Sequence, residues 1–356
     1  DGNRNVQGIT FSNTSAFGYT LQNGLISLTN GAVIQTASGN GNHTDTISSP
    51  ITIQANNGSA TFTAGATSST SIMDIGGGGA GSIVGVSSTG NTTTLTLNGT
   101  NTGANLVSAV IGNSGNGGKI AVTKAGSGNW TLSNANTYTG ATIISGGTLA
   151  LASTGSLASP TIINNSVLDV SAVTNYTVTS GQTLGGNGTV IGNTIIAGTL
   201  APGNNGKGLL AFSNGVTLNS GSTTTIEISG ATTRGTDFDG VNFNGSLTVV
   251  GGDLTFSFGS TSITSGTTLD IFGGTGGTLT ANFTNVIASG TNYNGTLALN
   301  GGSTAYEGVF GGQLVSLALA TGDLTFTAIP EPSAFAAIIG AIALVFGIRR
   351  RRENRL

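Results

Sequence analysis

Through the body of the chain run short segments in which apolar and polar residues alternate one for one: ITIQA, TTTLTLNG, GTLALAS, SVLDVSA, YTVTSG, GVTLNSG, TTIEIS, GSLTVVGG and DLTFSF. A period of two sends successive side chains to opposite faces of an extended strand, so each segment reads as a strand with one buried and one solvated side. Asn-Gly and Gly-Gly pairs between them mark tight turns at positive φ. No helical periodicity runs through residues 1–328. Strands this short cannot bury their apolar side alone, so the fold must supply each with neighbours.

Internal repetition indicates which neighbours. TLTLNGTNTG at residues 94–103 returns 35 residues later in NWTLSNANTYTG, aligning Leu97 with Leu132 and Asn101 with Asn136. Strand cores also recur about every 20 residues, at Leu149, Leu168 and Val190. Periods of this size predict a solenoid, in which each coil is buried by stacking on the next. A β-sandwich would have fewer, longer strands and no repeat. At about 20 to 25 residues per coil, residues 1–328 would form on the order of 12 to 16 coils.

Composition agrees. Only 6% of residues are charged, against about 25% in an ordinary domain, and stacked coils would otherwise set like charges in ladders. Residues 1–328 hold 5 basic and 11 acidic residues, a balance of −6, and the last 28 hold 5 basic and 2 acidic, a balance of +3. An acidic body with scattered lysines is a poor nucleic-acid binder. The absence of cysteine excludes disulfides and thiol chemistry.

The passage GSGNWTLSNANTYTGATIISGGTLALASTGSLA (126–158) resembles the autotransporter-associated β-strand repeat of bacterial surface proteins, a passenger-type repeat. Its pattern is carried by Gly126, Gly128, Trp130, Leu132, Asn136, Tyr138, Thr139, Gly140, Gly146, Gly147, Leu149 and Leu151. Residues 184–205 and 223–258 resemble the coils that follow such a repeat and the end of such a passenger. The resemblance implies a right-handed parallel β-helix over residues 1–258. Trp130 and Tyr138 are expected to fill a coil interior or brace a turn, with sugar stacking as the alternative. No membrane β-barrel follows, so self-translocation is not expected. The aromatic residues Phe272, Phe283, Tyr293, Tyr306 and Phe310 suit residues 259–328 to a β cap over the last open coil edge.

The tail, Ile329 to Leu356, has three parts in order. Pro330, Glu331 and Pro332 precede 15 residues without a polar side chain (334–348), and then come Arg349, Arg350, Arg351 and Arg352. As a helix the apolar run is about 22 Å long, short of a hydrocarbon core of about 30 Å, and its insertion is favourable by only about 2 to 5 kcal/mol. Arginines at one end match retention on the cytoplasmic side. This arrangement resembles the PEP-CTERM sorting signal of Gram-negative bacteria. It implies a single short transmembrane helix, export, temporary inner-membrane anchoring, cleavage near Pro330 to Pro332 by an exosortase-type enzyme, and release to the cell surface or extracellular matrix. A signal peptide would have preceded Asp1.

Candidate chemistry is sparse. His43, in NHTD beside Asp45, reads as a solvated turn, and no nucleophile-elbow serine accompanies it. The glycine run at 75–83 and Lys119, which is followed by Ile, fail the phosphate-loop pattern. Asp237 and Asp239, followed by Asn242 and Asn244, alternate as on one strand and form a weak calcium candidate that lacks the closing bidentate Glu of an EF-hand. They are also the only candidates for a polysaccharide-cleaving pair. The sequence therefore predicts a non-enzymatic surface or matrix protein without cofactor or metal, contacting extracellular polysaccharide or other chains through Thr/Ser/Asn ladders. The alternatives are a polysaccharide-degrading or polysaccharide-binding β-helix, and a fibre subunit associating through β-helix edges.

Overall fold

The computed structural model describes residues 4–12, 16–37, 42–77, 81–203, 206–274 and 278–329, and over these the chain is all-β without a helix. Its strands wind as a three-faced solenoid. From Thr161–Asn164 the chain passes to Val167–Asp169, then to Tyr176–Val178, and returns at Thr183–Gly186 to lie parallel beside its starting strand. The second and third strands of this coil are likewise paired in parallel with their counterparts in the next, Thr189–Ile191 and Thr194–Ile196. Three sheets of 20, 11 and 5 strands result. The 20-stranded sheet contains the first face, joined near the N-terminus to an early third face because Ile26–Thr36 serves both, pairing Ile26 with Ile51 and Ala32 with Ala60.

Alternation sorts the side chains. Thr92–Gly99 buries Thr93, Leu95 and Leu97 and turns the intervening threonines outward. Because the pairing is parallel and in register, inward positions form ladders along the solenoid. On the second face one ladder runs Asn105, Trp130, Leu149, Leu168, Val190, Phe212 and Phe243, all buried. The spacing of Leu149, Leu168 and Val190 is thus a stacking period.

The 35-residue similarity is not. Leu97 lies on the first face against Lys124, whereas Leu132 lies on the second against Val107 and Leu151. Coil length also varies: Leu132 to Leu151 is one coil of 19 residues, and Phe212 to Phe243 is one of 31. Among the described residues the first face stacks 12 parallel strands, from Arg4–Phe11 to Asn285–Gly290, and the second 11, at the lower end of the 12 to 16 coils expected.

Parallel winding continues past residue 258 to Asn285–Gly290, which pairs with Asp253–Gly259. Only then does the chain turn antiparallel, through Gly295–Leu299, Ala305–Phe310, Gln313–Ala318 and Asp323–Ala328, the last returning to Thr268–Asp270. The boundary expected at 259 therefore falls about one coil early, because residues 259–290 complete a further turn. Beneath the antiparallel strands Phe258 packs on Tyr293 with centroids 4.4 Å apart, and Phe283 lies between Phe272 and Tyr306. Among the described residues no helix is long and apolar enough to cross a membrane. The expected sorting motif (Pro330, Glu331, Pro332), apolar helix (334–348) and arginine cluster (Arg349 to Arg352) lie outside the described residues.

Candidate functional site

Polar chemistry is concentrated in three places: the corner of the repeat, the outer second face near the cap, and a pair near the N-terminus. At the repeat, the chain turns from Lys119–Lys124 on the first face to Asn129–Leu132 on the second. Turning takes backbone carbonyls out of the inter-strand ladder, and buried ones must find other donors. Lys124 serves three at the edge of the core. It is fully buried on the inward ladder between Leu97 and Ile144, and its Nζ donates to the carbonyls of Ala125 (2.7 Å), Gly126 (3.0 Å) and Gly146 (2.9 Å). These acceptors favour the ammonium form, while desolvation pulls its pKa down from 10.5 to about 8.

The motif residues surround this corner. Trp130 is buried and its Nε1 donates to the Asn98 carbonyl at 2.9 Å. Leu132 and Leu149 are fully buried. Gly128 and Gly140 pack so closely on the previous coil that a β-carbon would meet the carbonyls of Asn101 and Ile120. Gly147 has φ +59°, and a side chain there would also strike the Gly128 carbonyl. Asn136 bridges the coils beside it, accepting from the Ile111 amide (2.9 Å) and donating to the Ser156 carbonyl (3.2 Å). Tyr138 is fully buried with its hydroxyl 2.7 Å from Thr142 Oγ1, and burial pushes its pKa up. Neither Trp130 nor Tyr138 presents a face to solvent.

Asp237 and Asp239 do not share a strand face. They end the segment between Thr223–Glu227 and Gly240–Phe243 and do different work. Asp237 is half-buried and accepts from the amides of Thr232 and Thr233 (3.1 and 2.9 Å), closing its own loop. Asp239 is 1% exposed, its Oδ1 accepting from the Gly208 amide and its Oδ2 from that of Glu227, both at 2.7 Å. Burial raises its pKa to about 7, opposed by the two amides. With both oxygens engaged it ties three segments together and faces no open groove, so it is poorly placed to protonate a glycosidic oxygen. Among the described residues no group of three His, Cys, Asp or Glu side chains is gathered for a metal.

Asn242 and Asn244 do face outward. They line a groove of about 520 Å³ on the second face, with Thr189, Ser213 and Asp270 among its other walls. Arg234 lies beside it and holds two of its walls. Its guanidinium binds Asn242 Oδ1 (2.7 Å), Asp270 Oδ2 (3.0 Å) and the carbonyls of Val241 and Ile271 (both 2.9 Å). Sequence reasoning missed Arg234 and Asp270, which are 36 residues apart and carry no local motif.

His43 is not in a solvated turn. It is 8% exposed with Nε2 3.3 Å from Asp45 Oδ2, and Asp45, at an inward position of Thr44–Ile47, also accepts from the Tyr19 amide at 2.9 Å. The flanking Gly and Asn suggest a loop, but Asp45 follows the strand alternation inward and His43 is buried beside it.

No curated protein matches the chain. Residues 122–151, which contain Lys124, Trp130, Asn136, Tyr138 and Gly147, match the family model of the passenger-associated-transport-repeat, a repeat that suggests an exported, surface-associated protein.

Proposed function

We propose that this chain is a non-enzymatic, right-handed β-solenoid exported to the cell surface or extracellular matrix of a Gram-negative bacterium, with a structural or adhesive role. The observation that carries the reading is the parallel stacking of the first and second faces, continuous through a passenger-associated repeat. Right-handed winding is the expected sense for parallel crossovers. Outward positions repeat at every coil, as with Thr161, Thr183, Thr199 and Thr223 on the first face, so uncharged side chains form ladders suited to many weak contacts. The degradative alternative is disfavoured by the engagement of both Asp239 oxygens. Head-to-tail fibre growth is disfavoured because the antiparallel strands after residue 290 continue from the last coil of the first face in place of a further parallel strand.

Sorting in this proposal rests on Pro330 to Pro332 and Arg349 to Arg352, with an exosortase-type enzyme as processing partner and the inner membrane as a temporary anchor. The intact mass of protein from its native cells tests it. The expected mature form ends near Pro330 to Pro332 and is found outside the cells. Protein retaining all four arginines in the inner-membrane fraction would contradict it.

A further inference from the structure

The groove on the second face is independent of the tail and of the repeat corner. Its walls come from four successive coils: Thr189, then Ser213, then Asn242 and Asn244, then Asp270. Parallel strands are spaced by about 4.8 Å, close to the length of one hexopyranose unit in an extended chain, so the groove offers one set of polar groups per sugar along the solenoid axis. Ser213 and Asn244 are exposed and directly follow the buried register partners Phe212 and Phe243. Asn242 spends its carbonyl oxygen on Arg234, which leaves its amide nitrogen as a donor. No lining residue is basic. The one adjacent cation, Arg234, is already held by Asp270 and two backbone carbonyls, and the surrounding body is acidic. Hydroxyls, amides and a single carboxylate suit hydroxyl groups and repel acidic sugars.

We propose that this groove binds an extended, uncharged, β-1,4-linked hexopyranose chain lying along the solenoid axis. The side chains of Ser213, Asn242, Asn244 and Asp270 exchange hydrogen bonds with its hydroxyls, and Arg234 fixes the orientation of Asn242 and Asp270.

Calorimetric titration of the full chain tests this with cellohexaose as the neutral probe and hexagalacturonate as the acidic one. The expected result is cellohexaose binding with a Kd below about 1 mM and at least tenfold weaker binding of hexagalacturonate. Ser213→Trp, which fills the groove, should abolish binding, and Asn244→Ala should weaken it about fivefold. Thr131→Trp, on the same face three coils before the groove begins, should leave it unchanged. Absence of cellohexaose binding to the wild-type chain, equal binding of the acidic oligomer, or wild-type binding by both groove variants would each overturn the proposal. Such a failure leaves the sorting proposal untouched, because that is read from the mass and location of the mature protein.

Discussion

Trp130→Ala is expected to lower the stability of the solenoid by about 3 to 5 kcal/mol, the usual cost of emptying a large buried aromatic site. The side chain is 1% exposed and stands in the inward ladder between Asn105 and Leu149. Its removal leaves a cavity that neighbours held by rigid inter-strand ladders cannot fill, and it strips the Asn98 carbonyl of its donor. Trp130→Phe separates these effects. It keeps much of the volume and loses the hydrogen bond, so a smaller loss of about 1 to 3 kcal/mol is expected. Equilibrium urea unfolding measures both. In a stack whose coils contact only their neighbours the damage should be local. Hydrogen exchange should accelerate over residues 119–151 while protection in the antiparallel strands after residue 290 is retained.

Lys124→Met is expected to cost about 2 to 4 kcal/mol. Methionine matches the length and apolar stem of lysine but leaves three partly exposed carbonyls at the corner without this donor, and each such loss is penalised toward the lower end of about 1 to 3 kcal/mol because water can reach them. The lysine should also have a signature in pH. Its folded pKa lies near 8 and its ordinary value is 10.5, so between these the unfolded chain binds more protons than the folded one. Stability contributed at this position therefore rises with pH across that window. The difference in unfolding free energy between wild type and Lys124→Met should widen from pH 8 to pH 10.5 and stay flat from pH 6 to 7.5. A difference that narrows as pH rises would mean that desolvation does not dominate the titration of this amine.

The two substitutions mark where the sequence was legible. Alternation within strands is a local signal, because a side chain two residues along must return to the same face, and it reports correctly that Trp130, Leu132, Leu149 and Leu168 point inward. The 19-residue step from Leu149 to Leu168 survives in the sequence because both coils turn with few extra residues. Elsewhere loops of different length intervene, such as the segment after Glu227 that carries Arg234, Asp237 and Asp239. A sequence repeat and a stacking repeat then part company, as Leu97 and Leu132 demonstrate by lying on different faces.

Lys124 is legible by the same alternation. In KIAVTK the inward positions are Ile120, Val122 and Lys124, so alternation alone puts an ammonium in the core. Of the groove only Asn242 and Asn244 were legible, as alternating polar positions of one strand. Ser213, Asn242 and Asp270 meet only because three coils of unequal length bring them into adjacent rungs, and that registration depends on the whole stack.

That registration can be measured directly. The chain has no cysteine, so paired substitutions report on one distance each. Thr131 and Ala150 are register partners on the outward second face, with Cα atoms about 4.8 Å apart, within the range of about 4.4 to 6.8 Å that a disulfide spans. Thr96 and Thr131 are aligned by the 35-residue similarity but lie on different faces. Under mild oxidation, Thr131→Cys with Ala150→Cys should form an intramolecular disulfide in the folded chain, detected by mass, and Thr96→Cys with Thr131→Cys should not. Cross-linking of the second pair and not the first would contradict the parallel solenoid.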